Sequence, residues 1–517
     1  MTILNQEKLK EDLKEFHEMT AKFYKKEITV PQYKSFSGGF GSYAQRGGER
    51  SMLRLRLVGG EITMDNLKFI VDSIKKHHVD MLHLTTCETV QLHNLTEETV
   101  CELVEEAWNH NIITRGGGGD FPRNVMCSPL SGVEEGEYFS VMPYAREVSD
   151  YLLGLIDVVK LPRKLKVCFS NGTSNETHAT FRDLGFVAKE NQTFDVYIAG
   201  GLGIKPKMGV LVAEDVEPAK VLYVVKTMVD IFTKYGNYEN RAASRSRFLQ
   251  DSLGVEQLQA IFKEQLADNL EKENLTITVK EDAVNKEGSI SGEEELLKDN
   301  KRVKKQKQKG LYCVSYHPIG GSLAPEFFVN LYEGIKAMEE VKLRLTPTQG
   351  MYIINLTQEE AKQVLELTKD GARNTFEAST ACIGADICQV GIGKSQALLK
   401  ACVERVRKED FREGVLPSIH ISGCPSSCSA HQTAQIGFRG GKKPTEDGPQ
   451  FAFAIYENGC EKLGQEQFGE ELGVVLEKDI PELLVEIGKA VEAENMTYTQ
   501  FRKQFPDKVI EIVKKYV

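Results

Sequence analysis

The feature that most constrains this chain is that it repeats itself. LHLTTCETVQLHNLTEE, beginning at Leu82, recurs as LRLTPTQGMYIINLTQEE from Leu343, an offset of 261 residues. At the same offset Gly59-Gly60 falls on Gly320-Gly321, and each pair precedes a helix-like amphipathic stretch. A second pair of segments, SNGTSNETHATFRDLGF from Ser170 and SGCPSSCSAHQTAQIGF from Ser422, matches at an offset of 252. With 517 residues the chain is about three to four times the commonest domain size, so each copy is large enough to hold its own core. MLRLRLVGG alternates around its arginines, NLKFIVDSIKKHH has helical apolar spacing, and VDMLHLTTCETVQLHN returns to period two. Strands ending in glycine (FDVYIAGGLG) and helices such as PAKVLYVVKTMVDIFTKYG follow. The pattern predicts an α/β (α+β) chain of four packed units in two homologous pairs. The Gly200-Gly201-Leu202-Gly203 run lacks the spacing and following acid of a dinucleotide loop.

Charge and hydropathy narrow the function classes. Lys+Arg number 65 against 75 Asp+Glu, a formal charge of −10, so no global nucleic-acid binder is expected and an anion site must be a local basic pocket. No apolar run approaches a membrane span, and MTILNQEKLKEDLKEF has no apolar h-region, which makes the cytoplasm the expected compartment. Residues 280–309 hold 16 charged residues of 30 and end in KRVKKQKQK, a composition expected of a solvated linker or insertion.

Eleven cysteines, an odd number, are thiols or metal ligands in a reducing compartment. Cys87, Cys101, Cys127, Cys168, Cys313, Cys402 and Cys460 are scattered and read as small buried hydrophobes. The other four cluster: Cys382 and Cys388 in ACIGADIC, Cys424 and Cys428 in SGCPSSC. At the offset of 252 Cys424 and Cys428 fall on Gly172 and Glu176, and at the offset of 261 Cys388 falls on Cys127 and Cys382 on Phe121, so a metal centre is expected in the second copy alone. The first spacing is too wide for a zinc knuckle, whereas four thiolates without histidine suit a [4Fe–4S] cluster; zinc stays open as the alternative.

C-x5-C followed by G-C-P-x-x-C resembles the cluster motif of the sirohaem-dependent nitrite and sulfite reductases. MLRLRLVGG, PRNVMCSP, LPRKLK, DVYIAGGLG and RLTPTQ resemble blocks of that family in the same order, over about residues 40–500. The likeness is to the assimilatory, ferredoxin-type or haemoprotein-subunit sulfite reductases. It implies ferredoxin-like half-domains, each followed by a mixed α/β sirohaem/cluster domain. It also implies Cys382, Cys388, Cys424 and Cys428 as cluster ligands, with Cys428 bridging to sirohaem iron. Arg54, Arg123, Lys164 and Lys166 match the family's substrate cations, and strand alternation puts Lys164 and Lys166 on one face. Arg56, Gln91, Arg344, Gln349 and His431 fall where sirohaem contacts are expected. His83 and Cys87 stand where family members carry arginines.

The units implied are 1–40, an N-terminal helical extension; 41–115 and 310–372, the half-domains; 116–266, an α/β domain without a cluster; 267–309, the charged linker; and 373–517, the cluster-bearing domain. The activity implied is six-electron reduction of sulfite to sulfide, or of nitrite to ammonia. A zinc or electron-carrier protein without catalytic haem is the competing class. It would have no need of the basic blocks in the cysteine-poor copy. Lys166 supplies a fourth cation, which favours dianionic sulfite. No flavin or nicotinamide domain is evident, so a separate ferredoxin, or a flavoprotein or iron–sulfur subunit, is the expected electron donor. Neither a membrane nor a nucleic-acid partner is expected.

Overall fold

The computed structural model describes residues 6–517. Two helices, Gln6–Tyr24 and Val30–Ser37, open it, so all but the first five residues of the expected 1–40 extension are described, and those five lie outside. The first copy then supplies β1 (Ser42–Ala44), β2 (Ser51–Leu55), β3 (Glu61–Ile62), β4 (Leu82–Leu84) and β5 (Val90–Leu95). It continues with β6 (Met126–Cys127), β7 (Val167–Ser170), β8 (Leu184–Ala188), β9 (Phe194–Ile198) and β10 (Val210–Val216). The second copy repeats the series as β11 (Val303–Lys305), β12 (Tyr312–Tyr316), β13 (Ser322–Leu323), β14 (Lys342–Leu345) and β15 (Met351–Leu356). Then come β16 (Thr380–Ala381), β17 (Ile419–Ser422), β18 (Ile436–Lys443), β19 (Gln450–Glu457) and β20 (Glu470–Leu476).

The half-domains are not independent units: each gives its third strand to the other. One sheet runs β1-β2-β5-β4-β13 and its counterpart β11-β12-β15-β14-β3. The exchange explains the paired glycines. Gly59, Gly60, Gly320 and Gly321 all have positive φ, which glycine adopts without steric cost. Each second glycine also lies against the opposite copy: a Cβ on Gly60 would sit 2.9 Å from Leu345 Cβ and one on Gly321 2.8 Å from Leu84 O. Leu84 and Leu345 are equivalent at offset 261, so the contact is pseudo-twofold. One apolar core, from Phe16 through Leu92 and Leu343 to Val364, is shared by both half-domains.

The other two sheets, β6 to β10 and β16 to β20, have one topology: three parallel strands followed by two antiparallel ones. Each has its own core, one around Phe169, Phe186 and Phe194, the other around Ile421, Phe438 and Phe453.

Three expectations are corrected. The second half of the 280–309 segment is not a solvated linker: it forms the helix Glu293–Asp299 and edge strand β11, with Leu296 and Val303 in the shared core, while 280–290 has no regular structure and is mostly exposed. Val303 points inward while Lys304 and Lys305 point out, and Lys305 and Lys307 pair with Glu293 and Glu137. Exposed lysines beside one buried residue are ordinary on a short strand at a sheet edge. The helix Val255–Lys272 also runs through the expected boundary at 266. The alignment of Cys388 with Cys127 fails as well. Met126 pairs with Cys168 as Thr380 pairs with His420, so the offset at these strands has fallen to 254 and Ala381 is the counterpart of Cys127.

Candidate functional site

All four clustered cysteines lie in loops leaving the parallel strands of the second copy's sheet. Cys382 follows β16, and its sulfur accepts from Gly423 N at 3.1 Å, with Ser395 Oγ at 3.3 Å. Cys388 sits on the next loop, closed by its own N–H to Gly384 O and braced by Arg46 Nη2, which donates to Cys388 O and Gly391 O at 3.0 and 2.7 Å. Cys424 and Cys428 flank a tight turn after β17 in which Ser427 has positive φ. Burial and the thiols of Cys382, Cys424 and Cys388 push Cys428 up to about 12, with Lys164 opposing them. Burial likewise raises Cys382.

This set fits a cluster better than one ion. Tetrahedral zinc at 2.3 Å from sulfur would hold thiolates about 3.8 Å apart. Among the described residues no three of these sulfurs converge within 4.8 Å, while all four interact electrostatically around Cys428. A cluster bound here would take these sulfurs as thiolates.

Cys428 opens into a cavity that both copies line. Lys164 and Lys166, on the segment before β7, enter it from the first copy with Arg182 and Arg245. Burial and the cations Arg245, Lys166 and Arg123 lower Lys164, and burial lowers Lys166. Asp183, fully buried at the start of the FRDLGF strand, organises this wall: it accepts from Arg245 Nη2 at 2.9 Å and from Lys166 N at 3.0 Å, and bonds Ser246 Oγ. His178 Nε2 reaches Glu461 Oε2 of the second copy at 2.7 Å; despite burial, that contact helps hold Glu461 down to about 2. Glu176, equivalent to Cys428, also lines the cavity, and burial pushes it up to about 7. Among the described residues, Arg245 Nε of the first copy and His420 Nδ1, Ser427 Oγ and Ser429 Oγ of the second are buried around this cavity without partners. Orphaned donors on a cationic wall suit a large, multiply anionic ligand.

Arg54 and Arg123 converge beside these lysines. Both donate to Gly117 O, at 2.6 and 2.9 Å, and Arg123 also donates to Gly119 O at 2.9 Å. The charges of Arg54 and Arg123 reach Cys87 and Lys164 respectively, but neither arginine lines the cavity that Lys164 and Lys166 enter. The other expected contacts are elsewhere. Arg56 Nη1 donates to Arg115 O and Pro122 O beneath the glycine loop. Gln91 lies between Arg54 and His83 in the β2-β5-β4 row. Arg344 pairs with Glu61 at 2.8 Å in the exchanged strand. Gln349 bonds both backbone groups of Ala381, at 2.8 and 2.9 Å, and so fixes the strand leading into Cys382. His431 is fully buried against Tyr456, and burial lowers it to about 3.

Residue patterns did not single out Arg182, Asp183, Arg245 or the glycine run 116–119. Four consecutive glycines and the RAASRSR basic cluster were the available signals.

Comparison with known proteins agrees with this geometry. A family model described as the nitrite and sulphite reductase 4Fe-4S domain matches residues 118–270, and one for the nitrite/sulfite reductase ferredoxin-like half domain matches 43–107. Both fall in the cysteine-poor copy. The chain is 25% identical over 438 residues to "Sulfite reductase [ferredoxin] 1" of Mycolicibacterium paratuberculosis, covering 81% of this chain and 75% of that one. It is 26% identical over 459 residues to the chloroplastic "Ferredoxin--nitrite reductase" of Spinacia oleracea, covering 84% and 73%. It is 24% identical over 469 residues to the "Sulfite reductase [NADPH] hemoprotein beta-component" of Bacillus pumilus, covering 81% and 78%. The solved structure of the Mycobacterium tuberculosis NirA protein has the same fold, with a TM-score of 0.75, 22% identity and 92% of each chain covered.

Proposed function

This chain belongs to the sirohaem-dependent nitrite and sulfite reductase family, an oxidoreductase family with [4Fe–4S] and sirohaem cofactors, and we propose that it reduces sulfite to sulfide. The observation that carries the reading is one cavity lined by Cys428 from the second copy and by Lys164 and Lys166 from the first. Cys382, Cys388, Cys424 and Cys428 would hold the cluster, with Cys428 shared with the sirohaem iron. Bound there, the two groups would supply the electrons for the reduction.

The protein's own residues do the rest. Arg54 and Arg123, fixed by one carbonyl, orient the anion's oxygens with planar forks, and Lys164 and Lys166 add point charge where little water competes. Each sulfite taken to HS⁻ consumes six electrons and seven protons and releases three waters. Lys164 Nζ and Lys166 Nζ hold protons that burial makes easier to give up. Arg182 and Arg245, with the unpartnered serines of the cavity, suit the sirohaem carboxylates. Electrons come from an external donor, a ferredoxin or a flavoprotein subunit.

Preference for sulfite rests on charge: a dianion gains more than monoanionic nitrite from the same cations. Nitrite is the slower alternative substrate. Steady-state kinetics with reduced methyl viologen, on both anions, tests this in wild type and Lys166→Asn. Wild type should favour sulfite in kcat/KM, and the variant should shift the ratio toward nitrite by about tenfold. A wild-type preference for nitrite, or an unmoved ratio, defeats the assignment. Colourless protein with stoichiometric zinc would defeat the reductase reading outright.

A further inference from the structure

Cys87 is one of the scattered cysteines, yet it is built into the site. It sits on the turn between β4 and β5, where Thr85 N donates to Thr89 O at 3.0 Å and Cys87 N to Thr85 Oγ1 at 3.2 Å. Asn124 Nδ2 clamps the turn from one side through Cys87 O (3.0 Å) and Glu88 O (3.2 Å). From another side Thr86 Oγ1 donates to Cys428 O at 2.7 Å. The Cys87 sulfur then meets Lys166 Nζ at 3.2 Å, behind the cavity wall that Lys166 lines. One five-residue turn therefore touches both the proposed bridging cysteine and a proposed substrate cation.

The charges facing this sulfur are almost all positive. Lys166 is in contact, with Arg182 and Arg54 beyond it, while Lys164 and Arg245 crowd Lys166. The acid on the same turn, Glu88, is fully buried with Oε1 unpartnered, and burial raises it well above the ordinary carboxylate value, which weakens it as a competing negative charge. Burial alone would raise the Cys87 thiol as well, but the three cations outweigh it and bring it down to about 6.

We propose that Cys87 is a specificity-determining residue of the oxyanion pocket: its sulfur is the counter-ion of Lys166, set behind that lysine, so an anion in the pocket meets only part of the Lys166 charge. This rests on the cavity being an oxyanion site. Coulomb energy scales with ligand charge, so a thiolate at Cys87 opposes sulfite dianion twice as strongly, in free energy, as it opposes nitrite. Fold-changes are exponential in energy, so the factor for sulfite is the square of that for nitrite. Cys87 thus limits the advantage of the dianion and leaves nitrite a usable ligand.

The test is binding of each anion to oxidised holoenzyme at pH 8, read from the visible band of the sirohaem, in wild type, Cys87→Ser, Lys166→Met and the double variant. Cys87→Ser should tighten nitrite about threefold and sulfite about tenfold, and should do little once Lys166 is gone. Equal factors for the two anions, or weaker binding of both, overturn the proposal. Labelling of Cys87 in the holoenzyme by methyl methanethiosulfonate at pH 7, followed by peptide mass spectrometry, reads the pair without any anion. Lys166→Met should slow it at least tenfold, roughly the loss of thiolate when the cation goes. Equal rates, or no labelling, overturn the pairing. A labelling contrast in a protein that binds neither anion upholds the pairing and refutes the oxyanion reading of the cavity.

Discussion

The carbonyl of Gly117 holds two of the four proposed substrate cations, which makes that glycine an unusually sharp place to perturb the site. A Cβ at Gly117 would lie 2.9 Å from Gly41 Cα and 2.9 Å from Thr114 O. Both are backbone atoms and cannot swing aside. Favourable contact begins at about 3.5 Å between carbon atoms, so Gly117→Ala forces the loop back by about half an ångström. Overpacking of this kind costs about 1–3 kcal/mol. Arg54 and Arg123 move with the carbonyl they share. A misplacement of about 1 Å can cost about 100-fold, so half of that is expected to lower kcat/KM about tenfold, or about 1.4 kcal/mol of transition-state stabilisation. The assay is reduction of sulfite by reduced methyl viologen, with a thermal melt alongside. Gly441→Ala is the control, because its nearest neighbour would be Ala452 O at 4.0 Å. Wild-type kcat/KM in Gly117→Ala, or an equal loss in Gly441→Ala, would refute the claim that this loop aims the arginines.

Cys428→Ser should abolish turnover and disturb both the cluster and the sirohaem spectra, whereas Cys313→Ser, buried beside Ile354, should leave both intact; retention of coupled spectra in Cys428→Ser sinks the bridging role. Glu61 links the exchanged strands: burial would raise it, but Arg344, Arg146 and Lys342 together hold it below the ordinary carboxylate range. A depressed folded pKa means that this stability is present above about pH 4.5 and is lost as pH falls through the lower folded value. Glu61→Gln should cost about 3 kcal/mol at neutral pH and flatten the acid limb of the urea midpoint between about pH 5 and 3; identical pH slopes in both proteins count against it.

The legible parts of this molecule were those with repetition behind them. Paired glycines in register, alternating strands and a four-cysteine pattern each carry several constraints at once, and they located the duplication and the thiol site. The strand exchange had no such signal. β3 and β13 are two residues long, too short for periodicity, and their partners lie in the other copy. Gly-Gly showed that the chain turned there, but not toward which sheet. The 280–309 segment misled because composition averages over faces: Val303 inside and Lys304 and Lys305 outside give the same count as a disordered run. Cys127 was matched to Cys388 because one offset was carried across a length change. The second copy is seven residues shorter between the half-domain and β16, and the glycine loop 116–119 lies in the longer stretch of the first.

That length difference bears on how two copies make one site. Where the second copy places Cys424 and Cys428 after β17, the first has Gly172 and Glu176 after β7, so its thiol site is gone. It keeps the strand arrangement and sets cations on it instead: Lys164 and Lys166 before β7, and Arg245 against the Asp183 that precedes β8. The extra loop adds the carbonyls that gather Arg54 and Arg123. A thiol-bearing copy and a cation-bearing copy with the same sheet topology, held face to face by exchanged strands, give a cavity whose two walls differ in charge and chemistry. The two copies therefore differ without a change of fold: cysteines on one side, Gly172 and Glu176 on the other, and a seven-residue difference in one connection.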